Sequence, residues 1–423
     1  MHRKSRMSRR AFWATAVTTL LAAGGAAAGT AIAGGEPSPR RRADEGELRG
    51  MWLATVSNRD WPSAPGLTAD QQRAELLTHL DTAVARRLNA VIFQVRPTAD
   101  ALWPSPHEPW SQYLTGTQGK DPGWDPLGTA VEEAHARGLE LHAWFNPYRI
   151  ALHTDPSRLV ASHPARKNPG WAVPYGGKLY YNPGVPAVRA YVRKAMLDAV
   201  RKYPVDAVHF DDYFYPYPVA GQVFDDDAAY DRYGGSFPNR AAWRRDNVDR
   251  LVRETAAEIK VIRPGTQFGI SPFGVWRNAE TDERGSATRA GVQTYDDLHA
   301  DTRKWVRENW IDYIVPQLYW SAHPLDQQVP ANYAVLLPWW AEVARGSGTR
   351  LYVGEALYKA GDPAQPAAWQ DPAELSRHLT LAKKHPELRG HVFFSAKEVK
   401  EDKIGAMARV VADHYRQPAR TPR

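Results

Sequence analysis

Eight short apolar stretches recur along the chain, and amphipathic stretches separate them. In the separating stretches apolar residues return every three or four positions, which is typical of surface helices. Eight strand–helix units predict an α/β fold, a (β/α)8 TIM barrel with long loops on the face formed by the carboxyl ends of the strands. A doubly wound sheet is the alternative, but no glycine-rich phosphate loop follows the first predicted strand. The predicted strands are 49–56, 90–96, 140–147, 207–214, 267–274, 312–320, 350–357 and 391–398.

Strand residues point alternately to two faces, and this alternation predicts which side chains enter the barrel. In the fourth predicted strand, Val208 and Phe210 face the helices, while His209 and Asp211 face the interior. The same alternation turns residues inward in other strands: Gln94, Arg96, Trp144, Asn146, Gln317 and Tyr319, with His391, Phe393 and Ser395 in the last strand. Buried polar groups need hydrogen-bond partners, and inward polar residues could simply bond to one another. Because several strands supply them at the same height in the barrel, a functional site is the favoured interpretation.

The start of the chain has the features of an export signal, namely basic residues, an apolar stretch and Ala31-Ile32-Ala33 as a cleavage pattern. The segment Ser-Arg-Arg-Ala-Phe resembles the twin-arginine signal, whose pathway exports folded proteins. We therefore expect a twin-arginine-type signal peptide at 1–33, a Pro/Arg-rich linker at 34–47 and the barrel at 48–416. A membrane anchor is the alternative. We expect no membrane span after cleavage, because no other stretch approaches the ~20 apolar residues that a bilayer requires. The expected location is secreted or cell-wall associated.

Composition excludes several classes of function. The chain has no cysteine, so disulfides, thiol nucleophiles and cysteine metal sites are absent. The net charge of +7 is concentrated before the folded part, which is nearly neutral and has no evident basic patch. We therefore expect no nucleic-acid partner. The 16 tryptophans and 19 tyrosines indicate flat surfaces on which sugar rings stack.

Asp211 and Asp212 are the main candidates for catalysis. Glycoside hydrolysis commonly uses two carboxyl groups, and some enzymes replace the protein nucleophile with the N-acetyl group of the substrate. Asp211 suits one of these roles, and Arg96 or Asn146 would lower its pKa and keep it ionised. Asp212 is its partner or orienting neighbour. Glu355, near the end of the seventh predicted strand, is a third catalytic candidate, although its alternation places it on the outward face.

Other chemistries have weaker support. His209 and Asp211 share one strand face, so a metal site is a competing interpretation, but no third ligand is evident. We expect neither a metal nor a cofactor. A serine nucleophile of the esterase type has little support, because the chain lacks a Gly-x-Ser-x-Gly motif.

Aromatic residues in the loops and at the strand ends predict a cleft for a sugar polymer. Taken singly, most of these rings would pack the top of the barrel, but as a group they indicate an aromatic-lined cleft. The residues expected to bind the substrate are Gln94, Arg96, Trp103, Trp144, Asn146, Tyr213, Gln317, Tyr319 and Trp320.

Six segments, in consistent order over about residues 48–400, resemble the glycosyl-hydrolase-like family 10 group. They are RGMWLATVSNRDWPS, NAVIFQVRPTADALWPS, AHARGLELHAWFNPYR, HFDDYFYP, FGISPFGVWRN and DYIVPQLYW. The resemblance implies an exported bacterial TIM-barrel hydrolase of glycan strands, and a characterised branch acts on peptidoglycan without its stem peptides. The two aspartates match the Phe-Asp-Asp-Tyr-Phe segment of the family, while Arg96, Asn146 and Gln317 match its strand-end motifs.

These features together predict an exported glycoside hydrolase that acts on a cell-wall polysaccharide, with peptidoglycan glycan strands as the expected substrate and partner. Carboxylate acid/base catalysis is the expected mechanism. A catalytically silent carbohydrate-binding barrel and a metal-dependent hydrolase are the alternatives. The linkage, the stereochemical outcome and the identity of the second acid stay open.

Overall fold

A computed structural model describes residues 46–323 and 330–422. The expected signal peptide and residues 34–45 of the expected linker lie outside this part of the chain, so both remain predictions. The strands are β1 (Leu48–Leu53), β2 (Ala90–Arg96), β3 (Glu140–Phe145), β4 (Arg149–Ala151), β5 (Ala172–Tyr175), β6 (Lys178–Tyr181), β7 (Ala207–Phe210), β8 (Gln267–Ile270), β9 (Tyr313–Ile314), β10 (Arg350–Glu355) and β11 (Leu388–Phe394).

Helices alternate with these strands. They are α1 (Ala69–Ala85), α2 (Gln112–Thr115), α3 (Pro126–Ala136), α4 (Pro164–Lys167), α5 (Pro186–Lys202), α6 (Asp227–Tyr233), α7 (Arg240–Ile262), α8 (Thr294–Asp297), α9 (Thr302–Arg307), α10 (Tyr333–Ala344), α11 (Glu374–Ala382), α12 (Ala396–Glu401) and α13 (Ala406–His414). Their starts follow local chemistry, because the side chains of Thr68, Asp125 and Asn239 accept hydrogen bonds from the first turns of α1, α3 and α7. Within the described ranges, none of the helices combines the length and the apolar character needed to cross a bilayer.

Eight of the strands form a closed parallel barrel, in the order β1, β2, β3, β7, β8, β9, β10, β11 and back to β1. The predicted (β/α)8 barrel is therefore confirmed. The fifth and sixth strands are shorter than the sequence predicts, because Pro272 and Pro316 have no N–H with which to continue the ladder. The sequence did not predict the insert after β3, where β4, β6 and β5 form a small antiparallel sheet.

Two layers of buried side chains hold the barrel together. The outer layer lies between the strands and the helices and includes Val91, Phe93, Val208 and Phe210, as the alternation predicts. The inner layer fills the barrel with Leu48, Trp52, Ala54, Ala90, Ile92, Trp144, Ala207, Tyr313, Val315, Tyr352 and Val392.

The predicted orientation of the last strand is wrong. Val392 belongs to the inner layer and Phe394 packs against it, while Phe393 belongs to the outer layer. The run His-Val-Phe-Phe is apolar on both faces, so alternation does not distinguish its two possible orientations. The register of β10 against β11 also shifts between Leu351 and Val353, which a regular pattern does not anticipate.

Candidate active site

A cavity of about 260 Å³ lies at the carboxyl ends of the barrel strands. This is the face on which barrel enzymes build their active sites. The side chains around it combine two carboxyl groups, two guanidinium groups, amides and aromatic rings. They belong to Trp52, Ala54, Val56, Arg59, Gln94, Trp144, Arg149, Asp211, Asp212, Tyr213, Ser271, Gln317, Tyr319, Tyr358 and Phe394.

Asp211 and Asp212 both line this cavity, because β7 ends at Phe210 and the alternation of the strand no longer separates them. Both residues are nearly buried, with 4% and 8% of their surface exposed. Asp211 accepts hydrogen bonds from the side-chain amide of Asn146 and, at 3.3 Å, from the main-chain N–H of Tyr213. Asp212 accepts a hydrogen bond from the hydroxyl of Tyr217. The two acids therefore lie side by side with separate partners.

Burial and the neighbouring charge of Asp212 raise the pKa of Asp211 to about 7. Arg149, the N–H of Tyr213 and the amide of Asn146 oppose this rise but do not cancel it. Burial also raises the pKa of Asp212, against the hydrogen bond from Tyr217. Two adjacent buried carboxyl groups resist ionising together, so the pair keeps a proton near neutral pH. The expectation that Asp211 is held ionised is therefore wrong.

Arg96 does not line the cavity, because it is fully buried in an ion pair with Glu108. Its Nε and Nη2 atoms donate to the two carboxylate oxygens at 2.6 and 2.5 Å. Its Nη1 atom donates to the main-chain oxygens of Asn146 and, at 3.0 Å, Pro147. Arg96 thus holds the chain just after β3, and it contacts Asp211 only indirectly through the position of Asn146.

Asn146 is held in one orientation by two donors. Gln94 Nε2 and Arg149 Nη2 donate to Asn146 Oδ1 at 2.6 and 2.9 Å, which leaves its NH₂ group to donate to Asp211. Gln94 is fixed in turn, since its Oε1 accepts from the main-chain N–H groups of Thr55 and Val56, both at 2.9 Å. The sequence predicted Gln94 and Asn146 here, and the structure places both beside the acids.

Arg149 is the cation near the acid pair, and sequence reasoning missed it. It begins β4 in the inserted sheet, and its guanidinium group lies 5.0 Å from the centre of the Tyr213 ring. Its Nε donates to the main-chain oxygen of Pro97 at 3.0 Å. Its position three residues after Asn146, in the segment Phe-Asn-Pro-Tyr-Arg, was the available signal.

The position of Glu355 does not fit the predicted catalytic role. Its side chain leaves β10 on the outward face, as its alternation indicated, and is fully buried against the helices. It accepts hydrogen bonds from His378 Nδ1 at 2.7 Å, from His391 Nδ1 at 2.9 Å and from the hydroxyl of Tyr333 at 3.1 Å. Burial alone would raise the pKa of Glu355, but the two histidines outweigh it and lower that pKa. Glu355 therefore joins β10 to the helix layer, away from the cavity.

Two tryptophans predicted to bind substrate also lie outside the cavity. Trp103 is buried in the outer layer between strands and helices, where its indole N–H donates to Asp198 at 2.9 Å. Trp320 packs edge-on against Phe273, with 5.4 Å between ring centres. The remaining predicted residues Trp144, Tyr213, Gln317 and Tyr319 do line the cavity, together with residues that the sequence did not single out: Trp52, Arg59, Ser271, Tyr358 and Phe394.

His209 is not directed toward the acids as a metal ligand would be. Its two ring nitrogens lie 3.0 Å from the hydroxyl of Tyr313 and 2.8 Å from the hydroxyl of Ser271. Within residues 46–323 and 330–422, no three His, Cys, Asp or Glu side chains are grouped so that they would hold a metal ion.

Comparison with known proteins shows the family. The model of the family described as "Glycosyl hydrolase-like 10" matches residues 47–371. The chain belongs to the glycosyl hydrolase-like 10 family. This glycosyl hydrolase-like 10 chain is 49% identical to glycosyl hydrolase YngK of Bacillus subtilis, over 89% of this chain and 73% of the relative. It is 40% identical to glycosyl hydrolase DigH of Escherichia coli K12, over 86% of each chain.

The fold of this glycosyl hydrolase-like 10 member is also found in solved structures. The glycoside hydrolase domain of PgaB (BpsB) from Bordetella bronchiseptica matches with a TM-score of 0.52 and 11% identity, over 86% of this chain and 98% of that domain. At this identity the likeness shows the barrel fold alone. Together with the family and the named relatives, it establishes the chain as a glycoside hydrolase, whose substrate is a carbohydrate.

For a glycosyl hydrolase-like 10 enzyme, the observed site offers a proton donor, a second carboxyl group and aromatic walls. A carboxyl group with a pKa near 7 is protonated often enough at neutral pH to act as a general acid. Among the described residues around the cavity, Asp211 and Asp212 are the carboxyl groups, and both come from the same wall. This arrangement differs from two acids that face each other across a scissile bond.

Proposed function

We propose that the protein cleaves peptidoglycan glycan strands outside the cell membrane, after export by the twin-arginine route, and that the N-acetyl group of the substrate assists the reaction. The observation that carries this proposal is the pair of adjacent buried aspartates in an aromatic-lined cavity. Retaining and inverting enzymes place two carboxyl groups on opposite sides of the bond. With both acids on one wall, the acetamido group of an N-acetylated sugar supplies the missing nucleophile.

Asp211 is the general acid in this mechanism. It transfers its proton to the glycosidic oxygen while the acetamido oxygen attacks the anomeric carbon, so the bond between that carbon and the leaving oxygen breaks. The Asp211 carboxylate then accepts a proton from water, which attacks the same carbon and releases the acetamido group. Asp212, held by Tyr217, orients the acetamido N–H and stabilises the positive charge that develops on it. Two displacements at one carbon retain the anomeric configuration.

Two groups of observations support the substrate class. Trp52, Trp144, Tyr319, Tyr358 and Phe394 give the cavity aromatic surfaces of the kind on which sugar rings pack. The start of the chain has the sequence pattern of an export signal, which favours a substrate outside the cytoplasm.

The test uses purified glycan strands freed of stem peptides and the protein without residues 1–33. We expect wild-type protein to release reducing ends and Asp211→Asn to lose at least about 10³-fold in kcat. Asp70→Asn is the control, because the side chain of Asp70 is 93% exposed and the residue is distant in sequence from Asp211. Circular dichroism of both variants confirms folding. Unchanged activity of Asp211→Asn would remove the assignment of the acid.

The role of the acetamido group has its own test. We expect chemically de-N-acetylated strands to resist cleavage, and the first product from N-acetylated strands to keep its anomeric configuration in proton NMR. Cleavage of both polymers at similar rates, or inversion at the anomeric carbon, would contradict substrate assistance while leaving the hydrolase assignment in place. Glycan binding without any product would instead favour a binding protein.

A further inference from the structure

A chain of hydrogen bonds crosses the interior of the barrel beneath the cavity. Its links are His142 Nε2 to Glu140 Oε2 at 3.1 Å, His142 Nδ1 to Tyr313 Oη at 3.0 Å, Tyr313 Oη to His209 Nδ1 at 3.0 Å, and His209 Nε2 to Ser271 Oγ at 2.8 Å. Every member except Glu140 is at least 99% buried. Bulk water therefore does not compete for the hydrogen bonds among His142, Tyr313 and His209, while Ser271 borders the cavity.

At the end of this hydrogen-bonded chain that lies near the cavity, Trp52 determines which atoms donate and which accept. An indole nitrogen only donates, and Trp52 Nε1 lies 3.3 Å from His209 Nε2. His209 Nε2 is therefore an acceptor, and the proton of the neutral ring is on Nδ1. The single lone pair of Nε2 is shared by two donors, the indole of Trp52 at 3.3 Å and the hydroxyl of Ser271 at the shorter distance of 2.8 Å. Burial lowers the pKa of His209 well below its usual value, which keeps the ring neutral.

At the opposite end of the hydrogen-bonded chain, Glu140 favours the same arrangement of donors and acceptors. An ionised carboxylate only accepts, so His142 donates from Nε2, and when its ring is neutral it accepts at Nδ1. The hydroxyl of Tyr313 then donates to His142 and accepts the Nδ1 proton of His209. With a neutral His142, the Glu140 end of the chain gives the same tautomer of His209 as Trp52 gives at the end near the cavity.

We propose that Ser271 binds the substrate with its hydroxyl oxygen as a hydrogen-bond acceptor, because the chain directs its proton to His209. Ser271 lines the cavity beside the acids, and the other acceptor within reach of its hydroxyl, the main-chain oxygen of Phe210, is farther away at 3.5 Å. The group that Ser271 selects is an O–H or N–H donor of the bound sugar. His209 and Tyr313 are positioning residues. The identity of the ligand rests on the proposed function, whereas the direction of the chain does not.

Histidine tautomers give a test that is independent of activity. Long-range proton–nitrogen NMR of uniformly ¹⁵N-labelled protein, with His209→Gln to assign the signal, distinguishes a ring protonated on Nδ1 from one protonated on Nε2. We expect the Nδ1 tautomer in the wild type. We expect Tyr313→Phe, which removes the acceptor of that proton, to shift His209 toward the Nε2 tautomer. An Nε2 proton on His209 in the wild type would overturn the proposal.

A double-mutant cycle tests the link from the chain to the substrate. We expect Ser271→Ala to raise KM for the peptide-free glycan about tenfold, with kcat within about threefold of wild type, as for one lost hydrogen bond to the ligand. Tyr313→Phe should raise KM in the presence of Ser271 and have no further effect in the Ser271→Ala background. Where the glycan binds without being cleaved, its Kd replaces KM in the cycle. Equal effects of Tyr313→Phe in both backgrounds, or no effect of Ser271→Ala, would overturn the role of Ser271.

Discussion

Asn146 donates a hydrogen bond to Asp211 across two neighbouring barrel strands, from the residue after β3 to the residue after β7. The amide oxygen of Asn146 is already engaged by Gln94 and Arg149, so the amide does not turn round. A fixed donor beside a buried carboxyl group lowers its pKa, and here it moderates a pKa that burial and Asp212 raise to about 7. The pKa of Asp211 is therefore set by Asn146 and Asp212, which follow β3 and β7, and by Arg149 of β4.

Removing this donor is expected to move the alkaline limb of the pH profile. Asn146→Ala should raise the pKa of Asp211 further, so the acid holds its proton, and the enzyme its activity, to higher pH. The value of kcat at the optimum should fall about tenfold, because the carboxyl group is less well oriented. Rates of glycan cleavage measured from about pH 5 to 9 check this expectation, with Asn168→Ala as an amide control outside the cavity. An alkaline limb that stays in place would show that Asn146 does not tune the acid.

Asp211 is expected to make the protein less stable above neutral pH. Its pKa is raised from 3.8 to about 7, so between these values the folded protein holds a proton that the unfolded chain has lost, and stability falls as pH rises. Asp211→Asn should therefore raise the free energy of unfolding by on the order of 2 kcal/mol at about pH 8 and change it little at about pH 4. Urea unfolding at both pH values measures this. A variant less stable than wild type at the higher pH would contradict it.

Glu355 is expected to matter for stability and not for chemistry. Glu355→Gln removes the carboxylate that His378 and His391 share, although His378 keeps Glu374 at 3.2 Å. Loss of one partner from a buried ion pair costs about 3 kcal/mol. Folded protein should keep kcat within about twofold of wild type. Thermal unfolding and the rate on glycan strands, measured on the same preparations, separate the two effects. A loss of kcat comparable to that of Asp211→Asn would return Glu355 to the catalytic machinery.

Trp144 is expected to bind the ligand through its indole N–H. This group is buried and lacks a partner within the described part of the chain, and the ring lines the cavity. Trp144→Phe keeps most of the apolar surface and removes the donor, so KM should rise about tenfold with little change in kcat. Initial rates over a range of glycan concentrations give both constants. Trp103→Phe, whose indole donates to Asp198 instead, is the matched control and should affect stability more than KM.

The barrel fold, and the position of the two aspartates at the carboxyl ends of its strands, could be predicted because both depend on periodicity along the chain. Alternation in strands with one polar face placed Gln94 and Asp211 correctly. The strand predicted over 207–214 ends at Phe210, and for this reason Asp212 also lines the cavity. Alternation failed in the last strand, where His391 and Phe393 face outward, because both faces of that strand are apolar. The sequence pattern of one strand does not show which of its two faces will pack against the helices and which will face the barrel interior.

The remaining errors concern partners that are distant in sequence or lie in inserts. The predicted inward orientation of Arg96 fails because the register of β2 against β3 shifts between Gln94 and Arg96, which pairs Arg96 with the outward-facing Phe145. Glu108 in the following loop holds its guanidinium group, and spacing alone reveals neither the shift nor that pair. Arg149 was overlooked because it belongs to an inserted strand outside the eightfold pattern. Ser271 had no motif to mark it, since its role depends on histidine and tyrosine side chains from other strands.

One of the residues that set the pKa of Asp211 lies in the inserted sheet, outside the barrel. Arg149 lowers the pKa of Asp211, and it stands on β4, outside the eight barrel strands. Its side chain reaches the barrel at Asn146 and Pro97, the residues that follow β3 and β2. The sheet hydrogen bonds of β4 are made to β6, and those of β7, which leads to the two aspartates, are made to β3 and β8. Substitutions in the insert therefore offer a way to adjust the working pH of the enzyme while its barrel scaffold keeps the same strand pairing.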